Sequence, residues 1–157
     1  MPRYVFCFVF LFLGCGGSNP VGVPQNTQDK NSYKFTMRQE IPKGAKIITS
    51  YTAFIDNWNS QLLNPQWSYL DGLISPIYDA AQAYFSMTKQ IKTPTEQLQK
   101  THALYIAGWE SIIKSLNSLK AHIIEKGANS QRLIDANTSK DEALIFFEKF
   151  NAAFRDL

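Results

Sequence analysis

The spacing of apolar residues over the last two-thirds of the chain restricts its fold more than any other feature. From Ala45 onward, large apolar side chains recur at intervals that alternate between three and four residues. This spacing places them along one face of an α-helix, because a helix turns once in about 3.6 residues. A chain with such stripes buries them by packing its helices against one another.

Local signals divide this region into four helical runs. Asn64-Pro65 separates the first run from the second. The third begins at Thr93-Pro94-Thr95-Glu96, with Thr93 as the expected cap, and Gly127 ends it. The fourth begins near Asn129.

Each run carries one apolar stripe. The stripes consist of Ile48, Tyr51, Ile55, Trp58 and Leu62 in the first run; Trp67, Leu70, Ile74, Ile77, Ala81, Tyr84, Thr88 and Ile91 in the second; Leu98, His102, Tyr105, Trp109, Ile112, Leu116, Leu119 and Ile123 in the third; and Leu133, Ala136, Ala143, Phe146, Phe147, Phe150, Phe154 and Leu157 in the fourth. Pro76 lies inside the second run and predicts a kink or a short break there. The weak helix formers at 137–139 are a possible interruption of the fourth.

Four amphipathic helices joined by short loops predict an all-α fold, an antiparallel up-down-up-down four-helix bundle over residues 45–157. Hydrophobic residues make up 45% of the chain, which is enough to build a core. Both cysteines lie in the first fifteen residues, so the predicted bundle has to hold its fold without a disulfide.

The N-terminal segment has the pattern of an export signal. Arg3 precedes an apolar run from Tyr4 to Leu13, which at ten residues is too short for a membrane-spanning helix of ~20 residues. We therefore interpret residues 1–14 as a signal peptide.

The sequence Phe12-Leu13-Gly14-Cys15, followed by Gly-Gly-Ser, resembles the lipobox of bacterial lipoproteins, although Phe12 stands where Leu, Ile or Val is usual. The resemblance implies cleavage before Cys15 and a diacylglycerol on its sulfur. It implies a lipid anchor in the cell membrane or outer membrane, with the bundle facing the periplasm or the exterior.

Residues 15–44 are predicted to be the lipidated cysteine and a flexible tether. Gly, Pro, Asn, Gln and Ser dominate residues 16–32, and such a composition buries too little surface to order itself. Tyr33, Phe35 and Met37 alternate with polar residues, which suggests an extended arm lying against the bundle. Ile41-Pro42-Lys43-Gly44 is expected to break any continuation into the first helix.

Few residues in the predicted bundle suit catalysis. The only histidines, His102 and His122, are twenty residues apart on one helix, or ~30 Å, and cannot share a metal ion. His102 falls on the core stripe and is expected to pack there, while His122 is expected on the flank. A metal or haem at His102 would need a second ligand such as Met87 or Asp79 from another helix. We expect no catalytic residues, no metal and no cofactor.

The remaining features favour a binding role. The net charge of +3 is scattered, whereas nucleic-acid binding needs clustered basic residues. We expect a non-enzymatic envelope module of structural or protein-binding type, with the membrane and another protein as its partners. The alternative is a carrier or sensor that binds a small apolar ligand, a haem or a metal in the bundle.

Overall fold

The computed structural model describes residues 24–60 and 65–157, apart from the side chains of residues 59 and 60. The expected signal peptide, Cys15 and the tether as far as residue 23 lie outside these ranges. The helices are α1 (Gln25–Ser60), α2 (Trp67–Thr88), α3 (Glu96–Ile124) and α4 (Ser130–Arg155). The described ranges contain no β-strand, and none of their helices is long and apolar enough to cross a membrane.

The predicted up-down-up-down four-helix bundle is confirmed. Contacts between helices give the direction of each one relative to α3: α1 runs parallel to it, and α2 and α4 run antiparallel. The pairs are Tyr33–His102 and Tyr51–Ser115 for α1, Thr88–His102 and Tyr84–Tyr105 for α2, and Ser115–Ala136 and Tyr105–Phe150 for α4. Helix α3 therefore lies at the centre of the bundle, in contact with all three neighbours.

The first helix starts twenty residues before the expected boundary at Ala45, so the prediction of a tether is wrong for residues 25–44. Tyr33 and Met37 are both buried, whereas Phe35 between them is 65% exposed. Their spacing of four residues continues the stripe of α1 toward the N-terminus, and the alternation with period two was misleading. Packing of these two side chains against the other helices outweighs the polar composition around them.

Pro42 lies inside α1 instead of ending it. A proline in a helix leaves the carbonyl four residues earlier without its main-chain donor and costs about 3 kcal/mol. Two residues before Pro42, the carbonyl of Glu40 accepts a hydrogen bond of 2.7 Å from the Tyr84 hydroxyl. This bond ties α1 to α2 next to the weakened turn.

Gly44, also expected to be a breaker, lies where α1 packs directly against the core. A Cβ at this position would lie 2.8 Å from Cζ2 of Trp109 and 3.0 Å from the hydroxyl oxygen of Tyr105. Only a glycine lets α1 pack this tightly against α3.

Three further features of the helices differ from the prediction in detail. Helix α3 is capped by Thr95, whose hydroxyl accepts from the amide of Leu98, and not by Thr93. Helix α4 runs without a break through residues 137–139, and α2 is one helix that includes an exposed Pro76. The phase predicted for α3 is confirmed, since its stripe residues are all buried and Trp109 is completely enclosed.

Candidate functional site

Four buried side chains of the bundle each donate a proton to a main-chain carbonyl of another helix or of a helix cap. These are Tyr84 to Glu40, His102 to Thr88, Ser115 to Ala136 and His122 to Asn129. A hydrogen bond of this kind satisfies a polar group that would be costly to bury alone. The donors His102, Ser115 and His122 lie on α3, and the bond from Tyr84 to Glu40 joins α2 to α1. Together the four bonds fix the register of the neighbouring helices.

His102 is engaged through both ring nitrogens. Nε2 lies 3.0 Å from the carbonyl oxygen of Thr88, which can only accept, so Nε2 carries the proton. The Tyr33 hydroxyl then donates to Nδ1 at 3.2 Å. Burial lowers the pKa of His102 and favours this neutral form.

Asp79, one of the ligands considered for a metal at His102, does not lie beside it. Asp79 is exposed and lies about 13 Å along α2 from Thr88, the residue that contacts His102. Residues 24–60 and 65–157 contain no cluster of three or more His, Cys, Asp or Glu side chains that could hold a metal. The arrangement around His102 suits a structural role, because a neutral ring has already used both nitrogens.

Tyr84 and Tyr105 form a second buried cluster halfway along the bundle. Tyr84 gives its only proton to Glu40, so Tyr105 donates to the Tyr84 oxygen, 2.7 Å away. Burial raises the pKa of both phenols, which therefore stay protonated near neutral pH. These hydroxyls hold helices together and are poorly suited to proton transfer.

Ser115 is also committed to structure. Its hydroxyl donates to the carbonyl of Ala136 at 2.5 Å and accepts from Tyr51 at 2.6 Å. A serine nucleophile needs a general base that accepts its proton. Here the proton points at a main-chain carbonyl, which cannot remove it.

A groove of about 400 Å³ runs along the surface between α3 and α4. Its lining consists of Ala107, Glu110, Ser111 and Lys114 from α3, and Glu142, Ile145 and Phe146 from α4. Ile145 is 52% exposed and adds apolar surface to this lining. No salt bridge within 4 Å joins the three charged side chains to any described residue.

Close packing of α4 against α3 shapes this groove. A Cβ on Gly108 would lie 2.6 Å from the ring of Phe147, so the glycine makes room for that ring. Phe147 then contacts Tyr105 and Trp109 on the core side. Because adjacent helical residues point about 100° apart, Phe146 is turned toward the groove.

A second cleft, of about 280 Å³, lies at the end of the bundle that holds the C-terminus of α1. Trp58, Trp67 and His122 supply its aromatic wall, and Pro65, Lys126, Gly127 and Leu133 complete the lining. The expectation that His122 faces the flank is wrong, since its side chain is buried. Two indoles that come from α1 and α2 enclose it, and spacing within α3 could not reveal them.

The aromatic residues that fall beside the stripe of α2 have three different environments. Phe85 is buried, Tyr78 is half-buried and Tyr69 is 49% exposed. They do not form one widened apolar face.

Comparison with protein-family models, curated proteins and solved structures finds no match to this chain.

Proposed function

We propose that the protein is an envelope lipoprotein, anchored by an acylated Cys15 in the cell membrane or outer membrane, whose bundle is a non-enzymatic module that binds another protein. The observation that carries the binding role is the groove between α3 and α4, where Ile145 and Phe146 offer apolar surface beside charges that form no salt bridge with a described residue. Interfaces commonly combine an apolar centre with a polar rim in this way.

The charges of the groove indicate the charge expected of a partner that binds there. Glu110 and Glu142 outnumber Lys114, which leaves the groove with one net negative charge. A helical segment that places one apolar side chain on Ile145, with a lysine or arginine beside it, would match this surface. We infer a partner protein with such a basic amphipathic segment.

The buried polar groups also support a binding role over a catalytic one. His102, Tyr84 and Ser115 each direct a proton at a main-chain carbonyl, which cannot accept it in a reaction. The carrier alternative has less support inside the bundle, because the interior of α3 is filled by fully enclosed side chains such as Trp109, Leu116 and Leu119.

The proposed anchor keeps the module close to its membrane. The chain takes ten Cα-to-Cα steps from Cys15 to the start of α1 at Gln25, and an extended chain covers at most ~3.6 Å per step. The beginning of α1 therefore stays within about 36 Å of the acylated sulfur. Confinement of this kind raises the concentration that a membrane partner experiences.

The anchor is tested by Cys15→Ser, followed by cell fractionation. We expect the variant to remain unprocessed at the signal and to leave the lipid-modified membrane fraction. Unchanged processing and unchanged labelling by a palmitate analogue would contradict the lipoprotein proposal.

The binding role is tested by crosslinking and then by affinity. A photoreactive amino acid at position 145 should give a discrete adduct in cells, whereas the same amino acid at position 134 should not, although Ile134 is also exposed, at 56%. With the identified partner purified, Ile145→Lys should weaken binding at least tenfold and Ile134→Lys should leave it unchanged. Equal affinities for the two variants would contradict a binding site in this groove.

A further inference from the structure

The cleft at the end of the bundle has the composition of a small-molecule site. The ring centroids of Trp58 and Trp67 are 5.9 Å apart, and the His122 ring lies 5.6 Å from the first indole and 6.1 Å from the second. These three rings come from α1, α2 and α3, so the wall is assembled only in the folded bundle. The aromatic surface favours a flat apolar group, which can pack edge-to-face or offset against it.

The volume limits the ligand to one small ring system. A cleft of about 280 Å³ corresponds to the space of about nine water molecules, at ~30 Å³ each. A molecule with about ten non-hydrogen atoms fills such a space. Site volumes of this size lie at the small end of those that bind metabolites.

His122 offers one hydrogen-bonding atom to the cleft. Its Nδ1 donates to the Asn129 carbonyl at 2.8 Å, so Nε2 is the ring nitrogen left to face a ligand. Nε2 lies on the side of Gly127, another lining residue, 3.8 Å from the place that a Cβ there would occupy. No described residue donates a hydrogen bond to Nε2, so a ligand hydroxyl or N–H in the cleft can do so.

Lys126 places a positive charge at the rim of the cleft. Its backbone adopts a conformation that is unfavourable for residues other than glycine. It occupies the left-handed region, with φ of 51°, in the turn that ends α3. Its amide donates to the Ile123 carbonyl and the next amide donates to the His122 carbonyl, a hydrogen-bond pattern that usually places glycine where Lys126 stands. Glycine would be more stable here, so folding does not account for the lysine.

The charge of Lys126 is available to a ligand. The neighbouring Glu125 is paired with Arg132 at 3.3 Å, and Lys126 itself forms no salt bridge with a described residue. A cationic ligand would be repelled by this ammonium group. A carboxylate would be attracted to it.

From these observations we propose that the cleft of Trp58, Trp67, His122 and Lys126 binds a small aromatic carboxylate that carries a ring hydroxyl or N–H. The ring packs on the two indoles, the ring donor reaches Nε2 of His122, and the carboxylate pairs with Lys126. This site does not depend on the protein-binding role of the α3–α4 groove, which lies on another part of the bundle.

The test titrates the full chain, solubilised in detergent, with 4-hydroxyphenylacetate and follows the three indole N–H signals by NMR. We expect the signals of Trp58 and Trp67 to shift and that of the enclosed Trp109 to stay in place. The neutral 4-hydroxyphenylacetamide should bind about fivefold more weakly, since an exposed ion pair contributes about that factor. Phenylacetate, which lacks the hydroxyl, should also bind more weakly.

The decisive variant is Lys126→Gly, because glycine relieves the backbone and the fold is retained. We expect it to lower the affinity for 4-hydroxyphenylacetate about fivefold and to leave the amide unaffected. Lys92→Gly, an exposed lysine in the loop at the opposite end, is the control and should change neither. The proposal is overturned by the absence of indole shifts, by equal affinities for acid and amide, by tighter binding of tyramine, or by an unchanged affinity in Lys126→Gly.

Discussion

The hydroxyl of Tyr33 donates a hydrogen bond to Nδ1 of His102 across 3.2 Å and thereby joins the beginning of α1 to the beginning of α3. The ring of Tyr33 also meets the imidazole at right angles, with centroids 5.8 Å apart. This contact incorporates a segment with a linker-like composition into the bundle.

Removing the Tyr33 hydroxyl should lower the free energy of unfolding of the bundle. Tyr33→Phe leaves Nδ1 of His102 buried without a donor, which costs about 1–3 kcal/mol. Chemical denaturation should show that loss as a lower unfolding midpoint with an unchanged slope. Tyr69→Phe removes an exposed hydroxyl and serves as the control. If both variants unfold at the parent midpoint, the Tyr33–His102 bond does not stabilise the fold.

The stability of the bundle should fall as the pH drops below about 6.5. Burial lowers the pKa of His102 in the folded state below its ordinary 6.5, so the unfolded chain takes up a proton more readily than the folded one. The stability is therefore complete at higher pH and decreases as the pH falls from 6.5 toward the lowered pKa. Urea unfolding at pH 7.5 and 5.5 measures the difference. His102→Gln should reduce it, and an equal pH dependence in that variant would assign the effect to other groups.

Trp109 should be the most costly side chain to truncate. It is fully enclosed and contacts Tyr84, Tyr105 and Phe147, so Trp109→Ala should cost about 3–5 kcal/mol. Trp109→Phe should cost less, because phenylalanine leaves a smaller cavity than alanine. Thermal unfolding of the two variants beside the parent gives this order. A larger loss for phenylalanine than for alanine would contradict it.

Two helical glycines should respond in opposite directions to the same substitution. Gly44→Ala places a Cβ 2.8 Å from Trp109 and should destabilise the bundle by about 1–3 kcal/mol through overpacking. Gly72→Ala meets nothing within 4 Å and should stabilise α2 by about 0.5–1 kcal/mol. Melting temperatures of the pair measure both effects. A stabilising Gly44→Ala would mean that α1 crosses the core less closely than described.

The sequence predicts those parts of the fold that depend on spacing within one helix. The alternation of three and four residues along α3 correctly places Leu98, Tyr105 and Trp109 in the core. Short loops together with four such stripes are enough to give the bundle and its antiparallel order.

Features that depend on a second helix could not be predicted in this way. Pro42 and Gly44 are helix breakers by local propensity, and only the packing of α1 against Tyr84 and Trp109 turns them into interior residues. The burial of His122 likewise depends on Trp58 and Trp67, which lie far from it in sequence. The signal in the sequence that favoured a helix before Ala45 was the interval of four between Tyr33 and Met37.

The uninterrupted helix α1 connects the two ends of the molecule, and these ends differ in their distance from the proposed anchor. At 1.5 Å per residue, its 36 residues extend about 54 Å, from a start close to the proposed acyl anchor to the cleft at Trp58. In an anchored molecule with α1 perpendicular to the membrane, the cleft would lie in the solvent, well above the lipid headgroups. The Tyr33–His102 contact would then be at the end of the bundle that is nearer to the bilayer. Pulling on such an anchor would load the Tyr33–His102 contact, at the base of the bundle, before the rest of the fold.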